Sequence, residues 1–146
     1  MSEPATFVHH RRVEFSETDA AGIVHFAAFF PMMEAAEHAF LRSIGIQVMP
    51  PRDAKPRMTW PRVSATCDYH AAARFEDVLD IAVTVDHVGR SSVRYRFDIV
   101  RDADSVAIAT GRIVTVCCEL GDDGLAKIVI PETVRTRLES GTGKPS

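Results

Sequence analysis

A carboxylate, a glycine and an imidazole fall close together at Asp19, Gly22 and His25, within Glu17-Thr18-Asp19-Ala20-Ala21-Gly22-Ile23-Val24-His25-Phe26. The residues that follow repeat their apolar members at helical spacing. Gly22 permits a turn that a side chain would obstruct. The chain then enters a helix, whose first backbone N–H groups have no intrahelical acceptor and carry the positive end of its dipole. Such donors suit a carbonyl oxygen that becomes an oxyanion. A carboxylate just upstream can attack the same carbonyl or take a proton from water. An Asp before a helix is more often an ordinary cap or turn residue. The residues by themselves leave both roles open.

The elements that must position this segment follow from periodicity. Phe7 to Phe15 alternates as a strand with at least one buried end. From Ala27 to Ile44, Phe29, Met33, Ala36, Phe40 and Ile44 recur at steps of three and four, while Glu34, Glu37, His38 and Arg42 gather elsewhere. This is an amphipathic helix that Gly45 stops, with Pro31 in its first turn or two. Strands then read from Val63 to Tyr69, Leu79 to Asp86, Val93 to Ile99 and Val106 to Cys118. The last of these is apolar enough on both faces to lie centrally. Gly89-Arg90-Ser91 and Arg101-Asp102-Ala103-Asp104 supply hairpin turns. A short strand over Lys127–Ile130 leads to Pro131, which opens a terminal helical turn reaching about Leu138. One helix cannot cover a parallel sheet, and the later connections are too short for crossovers. The expected fold is therefore α+β: one long helix wrapped by a curved antiparallel sheet of five to six strands, in a single domain over residues 1–146. Residues 1–5 and 140–146 form the loose ends.

The segment Val13–Ile44, with Asp19, Gly22, Val24, His25 and Phe26, resembles the start of the 4-hydroxybenzoyl-CoA thioesterase family. The likeness extends to Tyr69-His70-Ala71-Ala72-Ala73-Arg74-Phe75-Glu76-Asp77 and to Val88-Gly89-Arg90-Ser91-Ser92-Val93. It implies a hotdog fold and hydrolysis of acyl-CoA thioesters, with Asp19 as catalytic carboxylate. It also implies a carbonyl-polarising backbone donor near Phe26, aided by amides from Gly22 onward. His25 reads two ways, as a residue that lines the pocket or donates a hydrogen bond there, or as a solvated or core-satisfied histidine. Arg90, Ser91 and Ser92 are implied as CoA contacts, and a homodimer or homotetramer as the assembly, with sites at subunit interfaces. His25-Phe26-Ala27-Ala28 is more apolar than the helix start of some relatives, which leaves the acyl group open. A non-catalytic acyl-CoA-binding module and a hotdog hydratase or dehydratase are the alternatives.

Other residues carry plainer readings. At least one of Glu34 and Glu37 should lie on an exposed polar face. Asp77 should cap or pair with an arginine such as Arg74, and Asp68 should make a surface ion pair. His9 and His10 face opposite sides of a strand, and no Cys/His spacing suggests a metal site. No cofactor is expected, since CoA is part of the substrate. No Gly-x-Ser-x-Gly elbow supports a serine hydrolase. Gly141-Thr142-Gly143-Lys144 has no helix after it and reads as tail, not phosphate loop. A formal charge of −3 without like-charge blocks argues against nucleic acid and anionic membrane partners. No apolar run approaches the roughly 20 residues of a bilayer span. The N-terminus lacks a secretory pattern, and the odd set of three cysteines, with Cys117 and Cys118 adjacent, fits reduced thiols in a cytoplasm.

Overall fold

The computed structural model describes residues 6–140, so the expected loose segments 1–5 and 141–146, with Gly141–Lys144, lie outside the described residues. Ser140 was grouped with the tail, yet it is the last helical residue, its hydroxyl donating to the Arg137 carbonyl. The elements are β1 (Thr6–Arg12), α1 (Phe29–Ser43), β2 (Met58–Thr59), β3 (Arg62–Tyr69), β4 (Val78–Val88), β5 (Ser92–Arg101), β6 (Ala107–Val116), β7 (Cys118–Gly121), β8 (Gly124–Lys127) and α2 (Glu132–Ser140). Five strands form one antiparallel sheet in the order β1-β4-β5-β6-β3, and β2, β7 and β8 form a second, small one. Register shifts in the β3–β6, β4–β5 and β5–β6 pairs mark bulges or irregularities, which bend and twist a sheet.

The sheet closes over α1, which buries Phe29, Met32, Met33, Ala36, Phe40 and Leu41. Each large apolar side chain removed from water there contributes roughly 1.5–3 kcal/mol. Gly111 on β6 lets the helix lie this close, because a Cβ at that position would stand 1.9 Å from the Met33 sulfur. Gly45, at φ +77°, ends α1 in the left-handed conformation glycine tolerates. The second helix packs Val134 and Leu138 into the same core, while Arg137 donates to the Gly45 carbonyl at 3.2 Å.

Several boundaries differ from expectation for identifiable reasons. β1 stops at Arg12, and Phe15–Glu17 forms a 3₁₀ turn, because the Glu14 and Glu17 side chains cap each other's backbone reciprocally. The strand expected to run through to Cys118 breaks at Cys117, whose N–H donates to the Ser91 carbonyl; the chain then changes sheets. The final strand ends at Lys127, where it was expected to begin: Ile128 and Ile130 donate instead to Cys117 and Arg90 as separate ties. Of the two helix carboxylates, Glu34 is exposed as expected, but Glu37 is wholly buried. It lies one turn from both Met33 and Leu41 on the inward face, and Arg62 of β3 reaches it. The three cysteines are free.

Candidate active site

Asp19 sits at the head of a tight loop between the first 3₁₀ turn and the helix. Thr18 and Val24 face each other as an isolated antiparallel bridge, and the Asp19 N–H donates to the Ile23 carbonyl at 2.9 Å. Inside that bridge the Gly22 N–H returns to the Asp19 carbonyl at 2.9 Å, and the Ala21 N–H donates to Asp19 Oδ1 at 2.9 Å. This is an Asx-type turn. The plain turn role of Asp19 is therefore real, but it occupies one carboxylate oxygen and leaves Oδ2 free of it. Gly22 has φ +78°, and an added Cβ would meet nothing within 4 Å. The requirement for glycine is thus conformational, set by the left-handed backbone of the turn rather than by room.

The loop is anchored on both sides. Arg11 on β1 pairs with Glu17 at 2.7 Å, the Glu17 carbonyl accepts from the His25 N–H at 2.8 Å, and Val24 donates to the Ala73 carbonyl. From His25 the chain makes a 3₁₀ turn, Phe26–Ala28, before α1 begins. His25 Nδ1 accepts from the Ala27 N–H at 3.1 Å, and its carbonyl accepts from Ala28. The Phe26 N–H, between these satisfied neighbours, has no acceptor among the described residues. Amides from Gly22 onward are expected to share the donor role; those of Gly22, Val24 and His25 are engaged within the turn, while the Ile23 N–H, like that of Phe26, has no acceptor among the described residues. Phe26 is the open donor nearest the start of α1.

Asp19 and Phe26 line one cavity of about 380 Å³ together with Ile23, Val24, Phe29 and Tyr69. His70 and Ala71 to Ala73 complete it. A half-exposed carboxylate, an unengaged backbone N–H and apolar walls are what addition to a carbonyl carbon needs: a nucleophile or base, an oxyanion donor and partial exclusion of water. His25 does not line the cavity; it stacks on the Phe26 ring at 4.5 Å and caps the turn. Tyr69 and His70 were not singled out as site residues, although their stretch stood in the resemblance. Their approach depends on β3 returning beside the helix start, which local periodicity does not reveal.

Arg90 and Ser91 occupy the β4–β5 turn, Ser92 opens β5, and none of the three lines the cavity. The turn is held from behind: Arg135 of α2 donates to the Val88 and Gly89 carbonyls at 3.3 and 2.7 Å, and the Gly89 N–H donates to Ser92 O. Asp77 has the structural role expected of it, but its arginine is Arg101 at 3.2 Å, with Arg74 contributing only its backbone N–H. Asp68 makes no ion pair among the described residues, contrary to expectation: its neighbour across the β3–β6 pair is Thr110, which carries no charge.

A second cavity of about 290 Å³ lies towards the other end of α1, lined by Glu34, Glu37, His38, Trp60 and Arg62 among others. Arg62 bonds Glu37 and also reaches Glu34 at 3.2 Å. Burial pushes the Glu37 carboxyl up to about 7, with the charge and hydrogen bond of Arg62 pulling it partly back. Among the described residues no cluster of three or more His, Cys, Asp or Glu could hold a metal ion, and no helix is long and apolar enough to cross a membrane.

The family model described as the thioesterase superfamily matches residues 21–108. A 1,4-dihydroxy-2-naphthoyl-CoA hydrolase of Synechococcus elongatus is 28% identical over 115 residues, covering 79% of this chain and 83% of that protein. The solved structure of BH1999, a gentisyl-coenzyme A thioesterase, superposes with a TM-score of 0.76 at 27% identity, over 90% of this chain and 99% of that one. The fold likewise matches 4-hydroxybenzoyl-CoA thioesterase from Pseudomonas sp. strain CBS-3, with a TM-score of 0.82 at 21% identity, covering 91% and 99% of the two chains. With a matched segment of more than half its length and a helix wrapped by a five-stranded antiparallel sheet, the chain belongs to the thioesterase superfamily, as a thioester hydrolase of the hotdog fold.

Proposed function

We propose that the protein hydrolyses an aromatic or short- to medium-chain acyl-CoA to free acid and CoA, with Asp19 as nucleophile or general base. The observation that carries this reading is the shared cavity of Asp19 and Phe26, with the Phe26 N–H left without an acceptor. The thioester carbonyl oxygen accepts from that N–H, which strengthens as negative charge develops. Asp19 then adds to the carbonyl carbon, expelling CoA thiolate and leaving an anhydride that water cleaves. Alternatively it takes a proton from water as the hydroxide adds, and the thiolate leaves as thiol. The apolar lining from Ile23, Val24, Phe29 and Tyr69 suits an apolar or aromatic acyl group. The relatives whose names include naphthoyl- and gentisyl-CoA support the aromatic end of that range.

On the same reading Arg90, with Ser91 and Ser92, meets the CoA portion. The pantetheine arm carries the nucleotide well away from the thioester, so contacts on a clamped surface turn outside the acyl cavity are suitable. A homo-oligomer completes the site. Among the described residues strand β3 pairs only with β6 and ends the sheet, and it exposes Val63 at 62% and Tyr69 at 47%. An edge of this kind invites pairing with a second copy. Antiparallel self-pairing would bring the Arg62 end of one β3 to the Tyr69 end of the other, and so set one chain's Glu37–Arg62 cavity beside the other's Asp19 cavity. Sedimentation equilibrium giving a monomer would remove this part of the proposal. Three free thiols fit a reducing, cytoplasmic location.

The test is thiol release over a panel of aromatic, short-chain and long-chain acyl-CoAs. We expect turnover of at least one aromatic or short ester; binding of these esters without thiol release would refute hydrolysis. Single-turnover hydrolysis in oxygen-18 water tests the nucleophilic route: label in the Asp19 carboxylate, from water cleaving the anhydride at the aspartyl carbonyl, establishes attack by Asp19, because activation of water alone never places it there.

A further inference from the structure

We infer that Tyr69 is a positioning residue for the oxyanion donor, clamping from strand β3 the peptide unit that follows Phe26. The inference rests on the proposed role of the Phe26 N–H. Tyr69 Oη donates to the Phe26 carbonyl at 2.9 Å, across 43 residues of chain. The other end of the same peptide unit is the Ala27 N–H, which His25 Nδ1 accepts at 3.1 Å. One peptide plane is therefore gripped at both ends, from within the turn by His25 and from a separate strand by Tyr69. Two hydrogen bonds in line through one amide also polarise each other.

The grip matters because, among the described residues, the peptide that carries the Phe26 N–H is otherwise held only by the turn's own bond, from the Ala28 N–H to the His25 carbonyl at 2.9 Å. Phe26 is 63% exposed, and its ring packs on His25, itself exposed. Burial cannot fix its backbone. Its N–H direction follows from the dihedrals on either side of its Cα: the Glu17 carbonyl secures the preceding residue, and Tyr69 and His25 secure the following peptide. Tyr69 is itself well placed to act as a fixed post. Its backbone is paired to Ala109 in β6, and its ring lies 5.5 Å from that of Phe29, which is buried in the first turn of α1. Loss of solvation raises the Tyr69 hydroxyl above the usual phenol range, with Cys67 adding to the rise, so the group remains a donor.

The test compares wild-type enzyme with Tyr69→Phe, which keeps the ring and deletes the bond. The readouts are single-turnover hydrolysis of an acyl-CoA that the wild type accepts, KM, thermal midpoint, and amide hydrogen exchange at residues 26–29 by NMR without substrate. Loss of one neutral hydrogen bond that acts through orientation predicts an about three- to tenfold slower chemical step. KM should stay within about twofold, the fold should be intact, and exchange at residues 26–29 should be faster. Unchanged exchange there overturns the inference, whatever the activity. So does faster exchange with an unaltered chemical step, or a rise in KM alone, which would make Tyr69 a substrate contact. Wild-type protein that releases no thiol would instead defeat the hydrolase reading, while the exchange comparison still decides whether Tyr69 holds the turn.

Discussion

The two ends of the long helix each carry a carboxylate, and the structure treats them in opposite ways. Asp19, before the N-terminal end, is half-exposed; one oxygen is committed to the Ala21 N–H, and an unengaged backbone donor lines the same cavity. Glu37, in the second half of α1, is wholly buried and bonded to Arg62, which also takes the Trp60 carbonyl and Glu34. A carboxylate that must attack or accept a proton needs a free oxygen and room for its target. One that ties a helix to a strand needs neither. The difference teaches that proximity of acid and helix does not make a site; unsatisfied groups facing a shared space do.

The sharpest way to break the comparison is to neutralise each carboxylate by an isosteric change. Asp19→Asn should lower kcat by on the order of 10²–10⁴, the scale for losing a positioned base or nucleophile. Its thermal midpoint should stay near wild type, because an Asn side-chain oxygen can still accept from Ala21. Steady-state thiol release and a melting curve check both halves, and retained activity in Asp19→Asn would remove Asp19 from the chemistry.

Glu37 should show the reverse pattern. Its carboxyl rises from 4.5 to about 7 in the folded chain, with burial the largest cause, so folding favours its protonated form. That stabilisation is fully present below about pH 4.5 and is lost as pH climbs through about 7, amounting to about 1–3 kcal/mol. Stability measured by urea unfolding should therefore fall for wild type relative to Glu37→Gln between pH 5 and pH 8. Parallel stability curves for the two proteins would show that the buried acid does not titrate in this range. Hydrolysis per folded molecule should change far less than in Asp19→Asn.

The same contrast marks how far the residues alone could be read. Helix, main strands and the Asp19 loop were legible because each is governed by short-range signals: the three-and-four spacing from Phe29 to Phe40, the alternation along β4 and β5, and Gly45 and Gly22 at positive φ. Glu37 was not, because its burial depends on Arg62 arriving from 25 residues later. The small sheet β2-β7-β8 escaped for a similar reason: β2 has only two residues, and its partner begins where β6 was expected to continue. The resemblance points to Phe26 as a donor, and the fold leaves its N–H without an acceptor among the described residues. That its neighbours Gly22, Val24 and His25 spend their amides elsewhere required the folded loop.

The finest discrimination concerns His25, which stands beside the proposed site without lining the cavity. As acceptor of the Ala27 N–H, its Nδ1 is unprotonated, so the ring acts as a cap of the kind Asn or Ser supplies more often. His25→Ala removes that acceptor and one of the two grips on the Phe26–Ala27 peptide. The expected loss is about 0.5–1 kcal/mol of stability and a two- to fivefold fall in kcat, the scale of one cap. His25→Asn, which returns an acceptor on a short side chain, should recover most of both. Rates and melting midpoints of the pair then separate two roles. Recovery in Asn assigns His25 to holding the turn; an Asn variant as slow as Ala, yet as stable as wild type, would put the imidazole in contact with substrate and extend the reacting site beyond Asp19 and Phe26.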